Sequence, residues 1–422
     1  MRKLFLILLV LAMVAVVAPP AMATNGDNLI GIGPISRGMG GVGIAAPQDA
    51  ISAVFANPAG MCFGPYCPGS EVNFAGTLFM PNVSASVTTA GQSVSADSDK
   101  KVYAIPAIGL SVPITTDWRF GLSAYGVSGL GVDYRNTSIA NSTLPFPGNP
   151  PLVAGSYTQL QTMKFAPAIA YAVDKNFSVG LALQIDYSSL DLGNGSSFNY
   201  GIGVELGAIY KSTDMLSFGL TYVTPQEVNY KNVVNLNGNI YSLKLASPQQ
   251  IGLGIALEPI KDTLLVEVNG KWVNWANAKG YDDFDWKDQW VFGIGAQYKP
   301  IKPLALRVGY NYANNPVKEH SNFAGFNPAD PADAPTTTVQ GIPFPTYYYE
   351  TFRIIGFPAI VKQHITFGVG YDISKRFAVN AGYTHAFKED ITESGTNFGN
   401  QAVTLKSSLY EDSVEFGFTW RF

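Results

Sequence analysis

Charge is scarce in this 422-residue chain: Asp, Glu, Lys and Arg make up 14% of it, against roughly a quarter in ordinary soluble domains. Its 27 basic side chains are outnumbered by 31 acidic ones, so it lacks the basic surface of a nucleic-acid binder. Histidine occurs only at positions 320, 364 and 385. With no His-Glu-x-x-His and no Gly-x-Ser-x-Gly elbow around it, no acid, base or nucleophile set stands out. An enzyme is not expected, and neither is a catalytic residue, metal or cofactor. Long apolar runs are also missing beyond residue 18: nothing after it approaches the ~18 residues of a membrane helix.

The one apolar run explains the compartment. Met1-Arg2-Lys3 is followed by "LFLILLVLAMVAVVA", then Pro19-Pro20 and the small-x-small site Ala21-Met22-Ala23. That order is a secretory signal peptide over residues 1–23, with cleavage expected after Ala23. The exported chain keeps a composition that is 47% hydrophobic and 13% aromatic, with 43 glycines. An apolar, aromatic, glycine-rich chain without a helical span suits a membrane β-barrel.

Period-two alternation supports the same class. Val414, Phe416, Phe418, Trp420 and Phe422 alternate with Glu415, Gly417, Thr419 and Arg421. Ile365 to Ile373, Phe377 to Tyr383 and Leu304 to Tyr312 repeat the pattern. Such sets occupy opposite faces of a strand, and apolar-out with small or polar residues inward marks an outer-membrane barrel. Strands are expected near 70–80, 102–113, 118–128, 158–172, 177–190, 200–211, 216–230, 240–257, 263–275, 289–299, 303–314, 361–373, 376–388 and 402–422. Short turns ("ITTD", "VDKN", "KSTDM", "EPIKD", "KPIKP", "DISKR") alternate with long polar loops. The expected fold is therefore all-β: a 14-stranded antiparallel transmembrane β-barrel over residues 70–422. An even count puts both termini in the periplasm of a Gram-negative bacterium.

Residues 24–69 precede the first strand and contain "SRGMGGVGIAAPQDAISAVFANPAGM". Gly38-x-Gly40-x-x-Gly43 imitates a dinucleotide cradle, but no βαβ unit surrounds it. Asp49 is a fitting N-cap for "AISAVFA", and Pro58 cannot continue that helix. A compact glycine-rich segment can fold inside a barrel, where irregular backbone is shielded from lipid. Residues 24–69 thus read as a small hatch of short helices that plugs the lumen.

This stretch resembles the hatch of the FadL family of outer-membrane transporters for long-chain fatty acids and other hydrophobic compounds. Asn57-Pro58-Ala59 stands where that family has its hatch motif. The resemblance continues through "VNWANAKGYDDFDWKDQWVFGIGAQYKP", "LALRVGYNYANNPV" and "ITFGVGYDISKRFAVNAGYTHAF". It implies passive uptake of a hydrophobic small molecule: capture among outer loops, hatch gating through Asn57, Pro58 and Ala59, and lateral exit into outer-membrane lipid at a kinked third strand. Gly126 and Gly129 are the expected kink positions, although glycines also simply line crowded barrel walls. It also implies insertion by the outer-membrane assembly machinery.

In the fatty-acid branch, inward basic side chains meet the ligand's carboxylate, one of them near the end of the fifth strand. Here that strand ends Ser188-Ser189-Leu190-Asp191. Arg307, Lys164 and Lys362 are the alternative partners, each equally readable as a wall charge, so fatty acids and uncharged aromatic hydrocarbons such as toluene both stand as ligands. A general diffusion porin is the reading of another class, and the plug argues against it. Cys62-x4-Cys67, exported to an oxidising compartment, is expected to form a small disulfide loop. Asp282, Asp283 and Asp285 lack the spacing and glycine of a calcium loop. Residues 315–360, with Tyr347-Tyr348-Tyr349, are expected to form a structured lid over the mouth.

Overall fold

The computed structural model of the protein describes residues 24–65, 67–141, 151–236, 238–328 and 334–422. The expected signal peptide, residues 1–23, lies outside the described residues.

The chain closes into a 14-stranded antiparallel barrel. In order the strands are β1 (Glu71–Thr89), β2 (Tyr103–Pro113), β3 (Trp118–Asp133), β4 (Tyr157–Ala172), β5 (Phe177–Asp191), β6 (Ser197–Lys211) and β7 (Leu216–Val223). The second half continues with β8 (Gln250–Ile260), β9 (Leu264–Val273), β10 (Gln289–Ile301), β11 (Leu304–Ala313), β12 (Gln363–Asp372), β13 (Phe377–Thr396) and β14 (Ala402–Arg421). Each strand pairs with its sequence neighbour, and β14 returns to β1 from Arg421↔Glu71 to Val403↔Thr89. Ile202, Leu253 and Trp290 are 67%, 60% and 56% exposed. They belong to an outward apolar belt that faces lipid, as barrel alternation requires.

Two stretches differ from the sequence reading. The strands expected over 216–230 and 240–257 are shorter, because β7 stops at Val223 and β8 starts at Gln250. Gln226–Leu236 and Asn239–Ser247 instead form a separate hairpin, paired only with each other. Pro225 and Pro248 flank it, and proline has no N–H to continue a ladder. The second difference concerns regions read as outer loops. β1 runs on to Thr89 and pairs with Gln92–Asp97, while β13 runs on to Thr396 against β14. These strands therefore extend well past the spans expected from the apolar pattern.

The N-terminal segment occupies the lumen. Thr24–Asn25 and Asn28–Leu29 form a minimal hairpin, followed by α1 (Gly33–Arg37) and α2 (Ala50–Ala56). Asp49 caps α2 as expected: its carboxylate accepts the Ser52 N–H at 2.8 Å, and the Ser52 hydroxyl accepts the Asp49 N–H. Asn57 ends α2 and caps the 3-10 turn Pro58–Cys62.

Two features of the wall let irregular backbone sit there. Inward polar side chains bond to it: Glu267 accepts N–H bonds from Gly43 (3.1 Å) and Ala45 (2.8 Å), and Asn73 accepts one from Ala50 (2.8 Å). Buried Arg37 pairs with Glu415 at 2.6 Å. Inward glycines allow the close approach. A Cβ on Gly309 would lie 2.1 Å from the Gly40 nitrogen, and one on Gly180 would lie 2.3 Å from the Ala59 nitrogen. Gly40 itself has φ +70° and abuts the Tyr310 and Ile294 carbonyls. The Gly38-x-Gly40-x-x-Gly43 pattern is thus a packing surface against the wall.

These contacts generate a prediction. Gly309→Ala should unseat the hatch and raise steady ion conductance in planar bilayers. Gly76→Ala, with nothing within 4 Å of the new methyl, should match the wild type. Equal conductance for all three proteins would contradict the seating role of Gly309.

Candidate functional site

An apolar cavity lies among the outer segments. Leu160 and Leu190 reach it from β4 and β5, and Leu243 and Leu245 from the inserted hairpin. Tyr281, Phe284 and Trp286 come from the β9–β10 loop, and Phe352 and Phe357 from the segment after α3 (Thr346–Thr351). Tyr347 and Tyr349 of the expected lid are buried, and the Phe284 ring lies 5.2 Å from Phe352 and 5.9 Å from Tyr349. The lid is structured, with residues 329–333 outside the described set. Among the described residues, only one cation lines the cavity. The Arg353 guanidinium donates to Glu350, Glu393 and the carbonyls of Phe284 and Lys318, so its charge is already engaged.

The floor of this cavity is polar. Tyr281 donates its hydroxyl proton to the buried carboxylate of Asp27, in the first turn of the hatch. Asp27 also offers its carbonyl to the Gly129 N–H at 3.3 Å. One hatch residue therefore touches both an outer loop and β3. A further small cavity there is bounded by Asp27, Ser128, Thr162, Ser188 and Tyr230.

At the same level the barrel ladder is interrupted. β2 pairs with β3 only from Pro113↔Arg119 to Ala107↔Tyr125. Beyond that, the backbone of Tyr103–Pro106 pairs with β1 and not with β3, although the Tyr103 hydroxyl donates across to the Gly131 carbonyl at 3.4 Å, and β3 pairs with β4. Pro106 stands where the ladder ends, having no N–H to extend it. In β3 the register shifts between Gly126↔Met163 and Ser128↔Thr162. The extra residue is Val127, between the two glycines expected to mark a kink. The hatch meets this freed edge through Asn28↔Ser128. Gly126 is crowded by Ile105, whereas a Cβ on Gly129 would meet only the Leu160 carbonyl at 3.7 Å.

Below lies a polar chamber of about 70 Å³. Phe55, Tyr125 and Val127 supply its apolar side, and Lys164, Gln184, Glu205 and Lys271 its polar side. Asn57 is fully buried in the hatch nearby. Its amide donates to the Ile44 carbonyl (2.8 Å) and the Ala208 carbonyl on β6 (3.1 Å), and its side-chain oxygen accepts the Ala59 N–H (3.1 Å). Pro58 and Ala59 lie against Gly180 of β5.

The three cations expected to meet a carboxylate are kept apart. Lys164 bonds Gln226 at 2.8 Å and Asp186 at 3.2 Å. Arg307 bonds Gln297 (2.7 Å) and Asn380 (3.0 Å) beside Gln48 and Lys299, away from the outer cavity. Lys362 pairs with Glu389 at 2.8 Å and is half exposed. Sequence reasoning missed Lys271, whose ammonium lies 5.9 Å from the Phe55 ring centre. The signal was there: period two puts Lys271 on the face of Glu267 and Asn269.

The disulfide expectation is corrected. Cys62 and Cys67 are both free thiols. The Cys67 thiol points at the Met61 carbonyl, 3.0 Å away, and burial pushes the Cys62 thiol up to about 12, leaving little nucleophilic thiolate.

The sequence model of the family described as outer membrane protein transport protein (OMPP1/FadL/TodX) matches residues 28–199. No curated protein matches the sequence. Among solved structures, the chain is similar to the Pseudomonas putida toluene transporter TodX, at 19% identity and TM-score 0.64, over 94% of this chain and 99% of that one. A Pseudomonas aeruginosa FadL homologue gives 14% identity and TM-score 0.64 over 95% and 99%. The Ralstonia pickettii toluene transporter TbuX gives 16% and 0.57 over 94% and 99%. At these identities the structures establish a shared fold.

The Asp27–Tyr281 contact has a pH consequence. Burial raises the Asp27 carboxyl from 3.8 to about 6, opposed by hydrogen bonds from Tyr281 and Ser128. Such a group contributes fully below its unfolded pKa, and the contribution is lost as pH rises through the folded value. From pH ~4 to ~7 the wild type should lose up to about 3 kcal/mol relative to Asp27→Asn. Unfolding in detergent, followed by heat-modifiable gel migration, measures the difference. Parallel pH profiles for the two proteins would contradict it.

Proposed function

We propose that the chain is a member of the FadL/TodX family of outer-membrane transport proteins, whose model matches residues 28–199, and that it takes up uncharged hydrophobic compounds, aromatic hydrocarbons foremost. The observation that carries this reading is the apolar, aromatic-lined outer cavity, whose one cation is already held by carboxylates and carbonyls. A hydrocarbon gains about 0.8 kcal/mol per buried CH₂-sized group there and needs no counter-ion. The toluene transporters with the same barrel support the choice. Long-chain fatty acids are the second reading. Lys271 in the inner chamber favours it, since its ammonium could receive a carboxylate.

Transport on this reading is passive. The ligand leaves water in the outer cavity, passes the Asp27–Tyr281 contact, and exits sideways through the interrupted β2–β3 ladder into outer-membrane lipid. The hatch gates it: Asn57, Pro58 and Ala59 fix the hatch against β5 and β6 while its first turn covers the freed edge of β3. This route suits a ligand that would be poorly soluble in the periplasm. Insertion of the barrel by the outer-membrane assembly machinery belongs to the same proposal, and no catalytic step does.

The exit can be closed chemically. A Cβ on Gly126 would lie 3.7 Å from the Ile105 Cβ, within the span of a disulfide. Ile105→Cys with Gly126→Cys, in a Cys62→Ser/Cys67→Ser background, should cut whole-cell uptake of radiolabelled toluene at least tenfold when oxidised. Reductant should restore it at unchanged levels of folded barrel. Asn57→Ala should also lower uptake per folded barrel. Full uptake through the oxidised double-cysteine protein would rule out lateral exit, and a preference for oleate over toluene would favour the fatty-acid reading.

A further inference from the structure

Above the outer cavity, three segments distant in sequence converge on His320. Its Nδ1 faces both oxygens of Glu350, at 2.9 and 3.0 Å, and its Nε2 faces Asp285 at 3.0 Å. Glu393, on the extension of β13, accepts the His320 backbone N–H at 3.0 Å. Glu350 and Glu393 are 4% and 1% exposed. One ligand atom from each of His320, Glu350 and Glu393 lies within 4.8 Å of the others.

Three further facts fit a cation. The Glu393 Oε2 atom is buried without a hydrogen-bond partner, a costly state for a carboxylate oxygen. Arg353 holds the same two carboxylates from the other side, through Glu350 Oε2 (3.1 Å) and Glu393 Oε1 (2.7 Å). Asp285 accepts from the far ring nitrogen of His320, the orientation in which a metal-bound histidine donates its second N–H to a carboxylate. With neutral imidazole, Asp285, Glu350 and Glu393 outweigh Arg353 and Lys318 by one negative charge.

We infer that His320, Glu350 and Glu393 form a binding site for a zinc-like divalent transition ion, with Asp285 and Arg353 orienting the ligands. One imidazole nitrogen and two carboxylates suit zinc, which leaves a fourth position for water. Calcium is disfavoured, because it takes six to eight oxygen ligands. Ligand atoms around a tetrahedral zinc stand about 3.3 Å apart, so His320 and Glu350 need to separate by a few tenths of an ångström. The bound ion would fasten α3, the His320 segment and β13 together over the cavity. This inference is independent of what the cavity carries.

Titration of chelator-treated, detergent-solubilised protein with Zn²⁺ tests it, with Co²⁺ absorption as a reporter of coordination. One saturable site per chain is expected, with no competition from Ca²⁺. Glu393→Gln and His320→Ala should weaken binding at least tenfold while folded-barrel migration stays normal. Asp285→Asn should weaken it about 10–100-fold, and His385→Ala should leave it unchanged. Absence of a saturable site at pH 7.5, or equal binding by His320→Ala, would overturn the assignment and leave a proton as the group between His320 and Glu350.

Discussion

The structure depends on one constraint: irregular backbone inside a barrel must find hydrogen-bond partners and must fit against the wall. Unpaired backbone groups away from water cost too much to leave unmade. The wall therefore carries two kinds of inward residue. Glu267, Asn73 and Asn311 supply acceptors and donors to the hatch backbone. Gly180, Gly309 and Gly368 remove the side chains that would hold the hatch away. The glycine content, high for a soluble protein, follows in part from that arrangement.

The same constraint links hatch and function. The first turn of the hatch, from Asp27 to Asn28, bonds the one edge of β3 that β2 leaves free. Asp27 is also the partner of Tyr281 in the floor of the outer cavity. The side chains that line the outer cavity, plug the lumen and cover the gap in the wall are thus in one connected set of contacts. Such a set of contacts is the link that the proposed coupling of occupancy to exit needs.

The parts legible in the sequence are the local ones. Alternation revealed the strands, the short turns set their parity, and Asp49 announced its cap. The hairpin from Gln226 to Ser247 was misread because its alternation matches that of a barrel strand, and only Pro225 and Pro248 separate it. The register shift in β3 falls at Val127, beside Gly126, and Val127 has no special conformational signature. Asp27 and Tyr281 lie 254 residues apart, and no local pattern reports such a contact. Lys164 stayed readable both as a ligand partner and as a wall charge because its partners Asp186 and Gln226 arrive from another strand and from the inserted hairpin. Long-range pairing of this kind belongs to the fold, and one sequence does not display it.

The claim on which the account turns is that the outer cavity holds an uncharged aromatic ligand. Crystals of the protein soaked with bromobenzene, with diffraction collected at the bromine edge, test it directly. An anomalous peak is expected between Phe284 and Phe352, above the Asp27–Tyr281 contact. Bromine signal confined to the lipid-facing belt or to the periplasmic mouth, with none in that cavity, would contradict it.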